Sequence, residues 1–223
     1  MALRPDPPDW IADGMRAARA ELRLFFVTAA AFLRAPDRFA VEWAEQRRHA
    51  LNPFAFVATT VALLEPAKYL LSRYVLDASF GSAWFELLST FGRYLLGAVF
   101  GLLFHPFMRL GGSRQPLRAT LGIAMFTVGA PAPLANLLVW AVFGLSGIQL
   151  SLRTPAPGRF MALMSLYLFP LIWYLRALVA LHRVRWRTAL LSVLSLAIAA
   201  VVLTTAVVLG ARSLFHYHFH LPR

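Results

Sequence analysis

Three charged side chains within apolar segments are the first candidates for chemistry. Glu65 and Lys68 lie one helical turn apart in the stretch 53–72, and Arg93 lies in the stretch 86–108. If these stretches cross a membrane in opposite directions, Glu65 lies about 12 Å and Arg93 about 10 Å from the outer boundary. A charge near the bilayer centre costs about 2.5–3.5 kcal/mol, so we predict that Glu65 and Arg93 face each other and that Lys68 joins them or snorkels outward. Such a pair is either an ion or proton site or a structural clamp between two helices.

A serine motif suggests a second kind of chemistry. The string Gly-Leu-Ser-Gly at 144–147 matches the GxSG motif of rhomboid intramembrane proteases. A serine nucleophile needs a histidine within hydrogen-bond reach, about 3 Å. His105 and His182 lie at the inner ends of their apolar stretches, whereas Ser146 lies near an outer end. Small residues at a helix contact explain the motif better, and we expect no enzymatic activity.

The C-terminal tail, residues 212–223, carries three histidines at alternating positions, His216, His218 and His220. In an extended strand the three imidazoles would share one face and could bind a divalent metal. No carboxylate follows Glu86 in the chain to complete such a site. We therefore interpret the tail as an aromatic and histidine-rich segment at the outer interface, and we expect neither a metal nor another cofactor.

Arginines in two loops form a candidate binding surface. One group surrounds the Gly-Gly turn 110–116, and the other lies between the last two apolar stretches. These residues are Arg109, Arg114, Arg118, Arg183, Arg185 and Arg187. The two groups could together bind anionic lipid head groups or a protein partner. Alternatively, they only set the orientation of the chain in the membrane and bind no ligand.

The composition indicates that lipid is part of the solvent around this chain. Of its 223 residues, 59% are hydrophobic and 14% are charged, with a mean hydropathy of +0.63. Soluble domains have about half their residues apolar and about a quarter charged. The absence of cysteine excludes disulfides and thiolate metal sites. The formal charge of +12 is spread over many loops, so nucleic-acid binding is not expected.

Five stretches are long and apolar enough to cross a bilayer, which takes about 20 residues. The third stretch lies in a run of 34 uncharged residues that follows Arg118. Pro131 and Pro133 interrupt it, so we predict a broken helix there. The predicted fold is an all-α transmembrane bundle over residues 51–211. Its spans are about 53–72, 86–108, 118–149, 160–182 and 188–211.

Arginine counts predict that the N-terminus is cytoplasmic. With this orientation the inner side receives fourteen arginines and the outer side five. The positive-inside rule favours this arrangement over one in which the third stretch is split into two spans. Arg176, near the inner end of span four, is expected to snorkel.

The N-terminal segment, residues 1–50, is predicted to be an amphipathic helical segment. Arg16, Arg19 and Arg23 share one face, and an apolar face follows helical spacing. The helix either lies in the head-group plane with its basic side toward anionic lipid or packs on the inner ends of the spans. Pro36 should break it, with Asp37 capping a second short helix.

Four segments carry a family resemblance: FLRAPDRFAVEW, NPFAFVATTVALL, HPFMRLGGSRQPLRATLGIAMFTVGAPAPL and LFPLIWYLRALVALHRVRWRTALLSVLSL. In this order, over residues 30–210, they resemble the Yip1 domain family. The resemblance implies a five-span, non-enzymatic membrane protein with a cytoplasmic N-terminus. Eukaryotic members act in ER–Golgi trafficking and associate with prenylated small GTPases. The near-complete use of arginine in place of lysine is typical of a bacterial member.

These observations predict a scaffold or adaptor in the bacterial inner (plasma) membrane. It would bind the bilayer, anionic lipids and other membrane proteins through cytoplasmic basic loops, in an oligomeric state that the sequence leaves open. The alternative is a transporter or permease subunit. Its polar site would comprise Glu65, Arg93 and Asn136 beside the span broken at Pro131 and Pro133.

Overall fold

The computed structural model describes residues 9–75, 83–135, 137–138 and 157–198, and this part of the chain is all-helical, as predicted. Side chains are described except at 9, 65, 67–75, 83–91, 93–94, 96 and 157–167. The principal helices are α1 (Asp9–Arg34), α2 (Pro36–Ala44), α3 (Pro53–Val75), α4 (Ala83–Leu110), α5 (Leu117–Gly129), α6 (Pro157–His182) and α7 (Trp186–Ile198).

Helix α5 is the central element of the fold. Ten of its thirteen residues are buried, and it contacts α3, α4 and α6. Together with its continuation to Ala135 it is the one described helix that is long and apolar enough to cross a membrane. Shorter apolar helices overlap the other four predicted spans, at Pro53–Leu64, Gly97–Leu110, Leu168–His182 and Trp186–Ile198.

The central helix is broken where the two prolines predict. Helix α5 ends at Gly129, Ala130 departs from helical geometry, and helical hydrogen bonding resumes with Leu134 N–H donating to the Ala130 carbonyl at 3.1 Å. Pro133 has no N–H to donate to the Gly129 carbonyl, four residues earlier. The hydroxyl of Thr60 on α3 lies 2.8 Å from that carbonyl and 2.9 Å from the Phe56 carbonyl of its own helix, so its one proton is shared between the two and supplies the Gly129 carbonyl with a donor. The break is therefore satisfied by a neighbouring helix.

Replacing Thr60 with valine should destabilise the protein by about 1–3 kcal/mol, because the buried Gly129 carbonyl loses its side-chain donor while the side-chain volume is kept. Thermal unfolding of the purified chain in detergent measures the effect. Thr60→Ser retains the hydroxyl and is the matched control. An equal loss of stability in both variants would contradict the role assigned to the hydroxyl.

The helices α1 and α2 dock on the bundle rather than lying wholly outside it. Phe32 and Phe39 are buried, and both rings contact Phe126 of α5, with ring centroids 5.9 and 5.0 Å away. The indole of Trp43 on α2 lies against Gly122, where a Cβ would be only 2.2 Å from the nearest ring atom. Only glycine at position 122 permits this close approach.

The start of α2 differs from the prediction in one respect. The chain breaks between α1 and α2, as expected, but α2 begins at Pro36 itself, its N-cap is Ala35 rather than Asp37, and the cap makes no side-chain hydrogen bond. Asp37 accepts a hydrogen bond from Arg176 on α6 at 3.2 Å, and the guanidinium of Arg176 stacks over Trp173. Asp37 therefore acts as a tertiary ion-pair partner, and Arg176, which was expected to snorkel, is held by α2.

Candidate functional site

Two loops meet at one end of the bundle, and each begins with the same helix-ending geometry. After α4, Gly112 has φ 91°, Ser113 N–H donates to the Met108 carbonyl, and Gly112 N–H donates to the Arg109 carbonyl. This is the Schellman motif, which needs a left-handed residue and therefore favours glycine. It turns the chain sharply and directs the Ser113 side chain back toward the bundle.

The loop after α6 repeats the motif with arginine at the left-handed position. Arg183 has φ 52°, and the N–H groups of Arg183 and Val184 donate to the carbonyls of Ala180 and Val179. A non-glycine residue in this conformation costs of order 1 kcal/mol. The loop keeps a cationic side chain at a position where glycine would be less strained.

The two loops are joined by a chain of buried polar groups. The Ser113 hydroxyl lies 2.6 Å from His182 Nδ1, and the other ring nitrogen, Nε2, lies 3.0 Å from the Thr120 hydroxyl. The Thr120 hydroxyl in turn lies 2.8 Å from Nδ1 of His105 on α4. Thr120, His182 and Ser113 are all buried, whereas His105 is half-buried. We call these four residues the polar chain.

A single direction of hydrogen bonding satisfies the buried members of the polar chain. Gln115 N–H donates to Ser113 Oγ at 3.1 Å, and the Ser113 hydroxyl can then donate to His182 Nδ1. His182 Nε2–H donates to Thr120, whose hydroxyl donates to His105. The half-buried His105 is left with its second nitrogen as the end of the chain. Each buried donor and acceptor is paired, as buried polar groups require.

The Ser113–His182 contact has the distance at which a base activates a serine nucleophile. The second nitrogen of this imidazole bonds to a hydroxyl rather than to an orienting carboxylate, and Ser113 is 6% exposed. We interpret the contact as a clamp that fastens the Gly-Gly turn to the end of α6. A second contact supports this: a Cβ at Gly111 would lie 2.7 Å from Thr188 Cγ2, so the turn also packs on the start of α7.

The clamp brings together the two arginine groups that the sequence predicts as one surface. Arg109, Arg114 and Arg118 flank the Gly-Gly turn, and the other group flanks the α6–α7 loop. All six predicted arginines, Arg109, Arg114, Arg118, Arg183, Arg185 and Arg187, are exposed. We call them the basic end. Within the part of the chain that the structure describes, Arg183 is the only one of the six in an ion pair, at 3.2 Å from Glu45.

Two of these arginines occupy positions that helix electrostatics disfavours. Arg118 is the second residue of α5, and Arg187 is the second residue of α7. The N-terminus of a helix carries a partial positive charge and favours acidic side chains, by about 0.3–1 kcal/mol each. The first turn of α5 has no acidic residue and no side-chain cap. The basic end therefore combines side-chain cations with a positive helix terminus, an arrangement that suits an anionic ligand.

Acidic residues near this end lie on α2 and bind arginines there. Glu42 accepts hydrogen bonds from Arg38 at 2.6 Å and from Arg48 Nε at 2.7 Å. The hydrogen bond from Arg38, followed by that from Arg48, holds the pKa of the Glu42 carboxyl below its ordinary value. The Glu42 carboxylate is therefore paired with arginines of α2 and its following loop, and it does not neutralise the positive charge of the basic end.

Several predicted site residues lie outside what the structure describes. Helical backbone is described at Glu65, Lys68 and Arg93 but their side chains are not, so the predicted ion pair stays a prediction. The others are Asn136, Ser146 and the tail histidines His216, His218 and His220.

The polar chain was not predicted from the sequence. His105 and His182 were placed at the inner ends of two spans, and the Gly-Gly turn was recognised, but no pattern in the sequence joins them. The available signal was the presence of small hydroxyl residues, Ser113 and Thr120, at the same ends of apolar helices. Polar groups in such positions need partners, and the two histidines are the nearest candidates.

The Yip1 resemblance rests on four sequence segments alone. The chain matches no protein-family model, and its comparison with curated proteins and with solved structures gave no match.

Proposed function

We propose that this chain is a non-enzymatic, five-span scaffold or adaptor of the bacterial inner membrane, of the Yip1 type, with a cytoplasmic N-terminus. Its basic end binds the phosphate groups of anionic lipids in the cytoplasmic leaflet. The observation that carries the proposal is the convergence of six exposed arginines from two loops that are about 70 residues apart in the chain.

The distribution of apolar side chains supports a lipid environment for the bundle. On α4, Leu95 and Leu102 are 66% and 53% exposed, and on α7 Leu191 is 61% exposed. Meanwhile the Ser113, Thr120 and His182 side chains of the polar chain are buried. Large exposed aliphatic side chains on several helices, with polar groups inside, are favourable only when hydrocarbon surrounds the helices.

The unfavourable placement of arginine in the basic end supports ligand binding in addition to a role in orienting the chain in the membrane. Orientation by positive charge requires arginines in the loop but no particular position for them. Here Arg118 lies in the first turn of a helix, where a cation is unfavourable. Bound phosphate would offset this cost, because it pairs with guanidinium and with free helical N–H groups.

The proposal is tested by titrating the purified chain in detergent with phosphatidylglycerol or phosphatidylcholine and measuring the lipid-dependent rise in the thermal unfolding midpoint. Arg114→Gln with Arg118→Gln is the test variant. At about 1 kcal/mol for each arginine near an anionic surface, affinity for phosphatidylglycerol should fall about fivefold per residue. The matched control is Arg34→Gln with Arg38→Gln, which removes two exposed arginines from α1 and α2 and should leave the affinity unchanged.

Two results would overturn the proposal. One is equal stabilisation by phosphatidylglycerol and phosphatidylcholine, which would mean that head-group charge is not recognised. The other is an equal loss of affinity in the two double variants, which would mean that net charge alone, rather than the basic end, attracts the lipid.

A further inference from the structure

The first half of α1 has no partner within the described chain. Residues 13–23, three helical turns, are exposed on every side, and the space beside Gly14 is open. A helical segment of this length is marginal in water unless an amphipathic face is buried. The sequence nevertheless gives this segment such a face.

An apolar stripe and a basic stripe run side by side along this segment and the turn that follows it. With 100° per residue, Met15, Leu22 and Phe26 fall within an arc of about 40°. They are 49%, 36% and 60% exposed. Arg16, Arg19 and Arg23 occupy the next arc, of about 60°, and are also exposed. Apolar side chains bordered by arginines are typical of a helix that lies in the head-group region of a membrane.

The second half of α1 holds this segment close to where the bilayer surface would be. The Phe25 and Phe56 ring centroids are 4.9 Å apart, and Leu51 N–H donates to the Thr28 hydroxyl at 3.2 Å. Leu51 precedes α3 by two residues and Phe56 lies in its first turn, at the inner boundary of the first proposed span. The exposed segment is therefore tethered next to the cytoplasmic leaflet.

We propose that residues 13–26 of α1, the exposed segment and the turn that follows it, lie in the head-group plane of the anionic cytoplasmic leaflet. Met15, Leu22 and Phe26 insert between the acyl chains, and Arg16, Arg19 and Arg23 contact lipid phosphates. The positive stripe beside the apolar stripe selects anionic lipid as the occupant. This proposal rests on the proposed membrane-embedded bundle, but it uses a surface distinct from the basic end.

The absence of native cysteine permits a direct test in the full-length chain. Single cysteines are introduced by Met15→Cys, Leu22→Cys, Ala20→Cys and Leu191→Cys, labelled with an environment-sensitive fluorophore, and reconstituted into nanodiscs with or without phosphatidylglycerol. Emission should shift to the blue at positions 15 and 22 and not at Ala20, which is exposed on the other side of the helix. The substitutions Arg16→Gln, Arg19→Gln and Arg23→Gln should each lower the equilibrium constant for docking about fivefold.

Leu191 on α7 separates the two possible failures, because it reports on the embedding of the bundle. A blue-shifted label at position 191 with water-like emission at positions 15 and 22 overturns the α1 proposal and leaves the bundle proposal intact. Water-like emission at position 191 overturns the membrane bundle itself. A shift at positions 15 and 22 that needs high protein concentration but no anionic lipid also overturns the α1 proposal, because it indicates a second copy of the chain as the occupant.

Discussion

Replacing Phe126 with alanine is expected to lower the free energy of unfolding by about 3–5 kcal/mol. Phe126 is 0% exposed at the centre of an aromatic cluster from three other helices. Its ring contacts those of Phe32, Phe39, Trp43 and Phe56 at centroid distances of 5.0 to 5.9 Å. The substitution removes all four contacts and leaves a cavity where α1, α2, α3 and α5 meet.

The matched control is Phe54→Ala, because Phe54 is 59% exposed near the start of α3 and should change stability by no more than about 0.5 kcal/mol. Thermal or denaturant unfolding in detergent compares the two variants. Similar losses would mean that the cluster around Phe126 does not hold the N-terminal helices on the bundle. Limited proteolysis gives a second measurement, since loosening of α1 and α2 should expose the chain near Ala35.

The helices and the break in the central one were predictable from the sequence because both depend on local chemistry. Apolar runs and arginine-rich loops mark where helices begin and end. Pro131 and Pro133 require a break by removing backbone donors, and the structure places it at Ala130. The identity of the compensating donor was not predictable, because Thr60 is 69 residues away from Gly129 in sequence.

Packing of the N-terminal segment on the bundle was one of two alternatives, but the contacts that dock α2 could not be predicted, since they join distant segments. Asp37 before a helical run resembles a capping residue, and Arg176 at the end of an apolar stretch resembles a snorkelling one. Each interpretation is reasonable when the residue is considered alone. In the structure they bind each other across 139 positions, and Trp173 donates to the Leu33 carbonyl beside them at 2.9 Å.

The candidate site was likewise predictable only in part. The six arginines of the basic end were predictable as one group, because loops on the same side of a bundle must lie near one another. The polar chain that fixes their positions depends on helix rotation, which hydrophobic patterns leave undetermined when a helix is apolar on most faces. Ser113 and His182 therefore became partners only once the packing of α4, α5 and α6 was known.

Replacing His182 with alanine should destabilise the protein by about 3 kcal/mol or more, because two hydroxyls lose their partner and a cavity forms. His182 is 4% exposed and bonds to both Ser113 and Thr120. The variant should also release the Gly-Gly turn from α6, and so separate the two arginine groups. Unfolding midpoints and phosphatidylglycerol affinity, measured on the same preparations, report the two consequences.

Two further variants separate packing from hydrogen bonding. His182→Phe fills the cavity but cannot bond to either hydroxyl, so its difference from His182→Ala measures the packing contribution. His105 is half-buried and makes a single described hydrogen bond in the polar chain. His105→Ala should therefore lower the free energy of unfolding by only about 1 kcal/mol. If His182→Phe is as stable as the unaltered protein and binds phosphatidylglycerol equally well, the polar chain does not position the basic end. A loss of lipid affinity in His182→Phe with little change in unfolding midpoint would instead assign His182 a positioning role for the arginines, because a purely structural residue would not change affinity separately from stability.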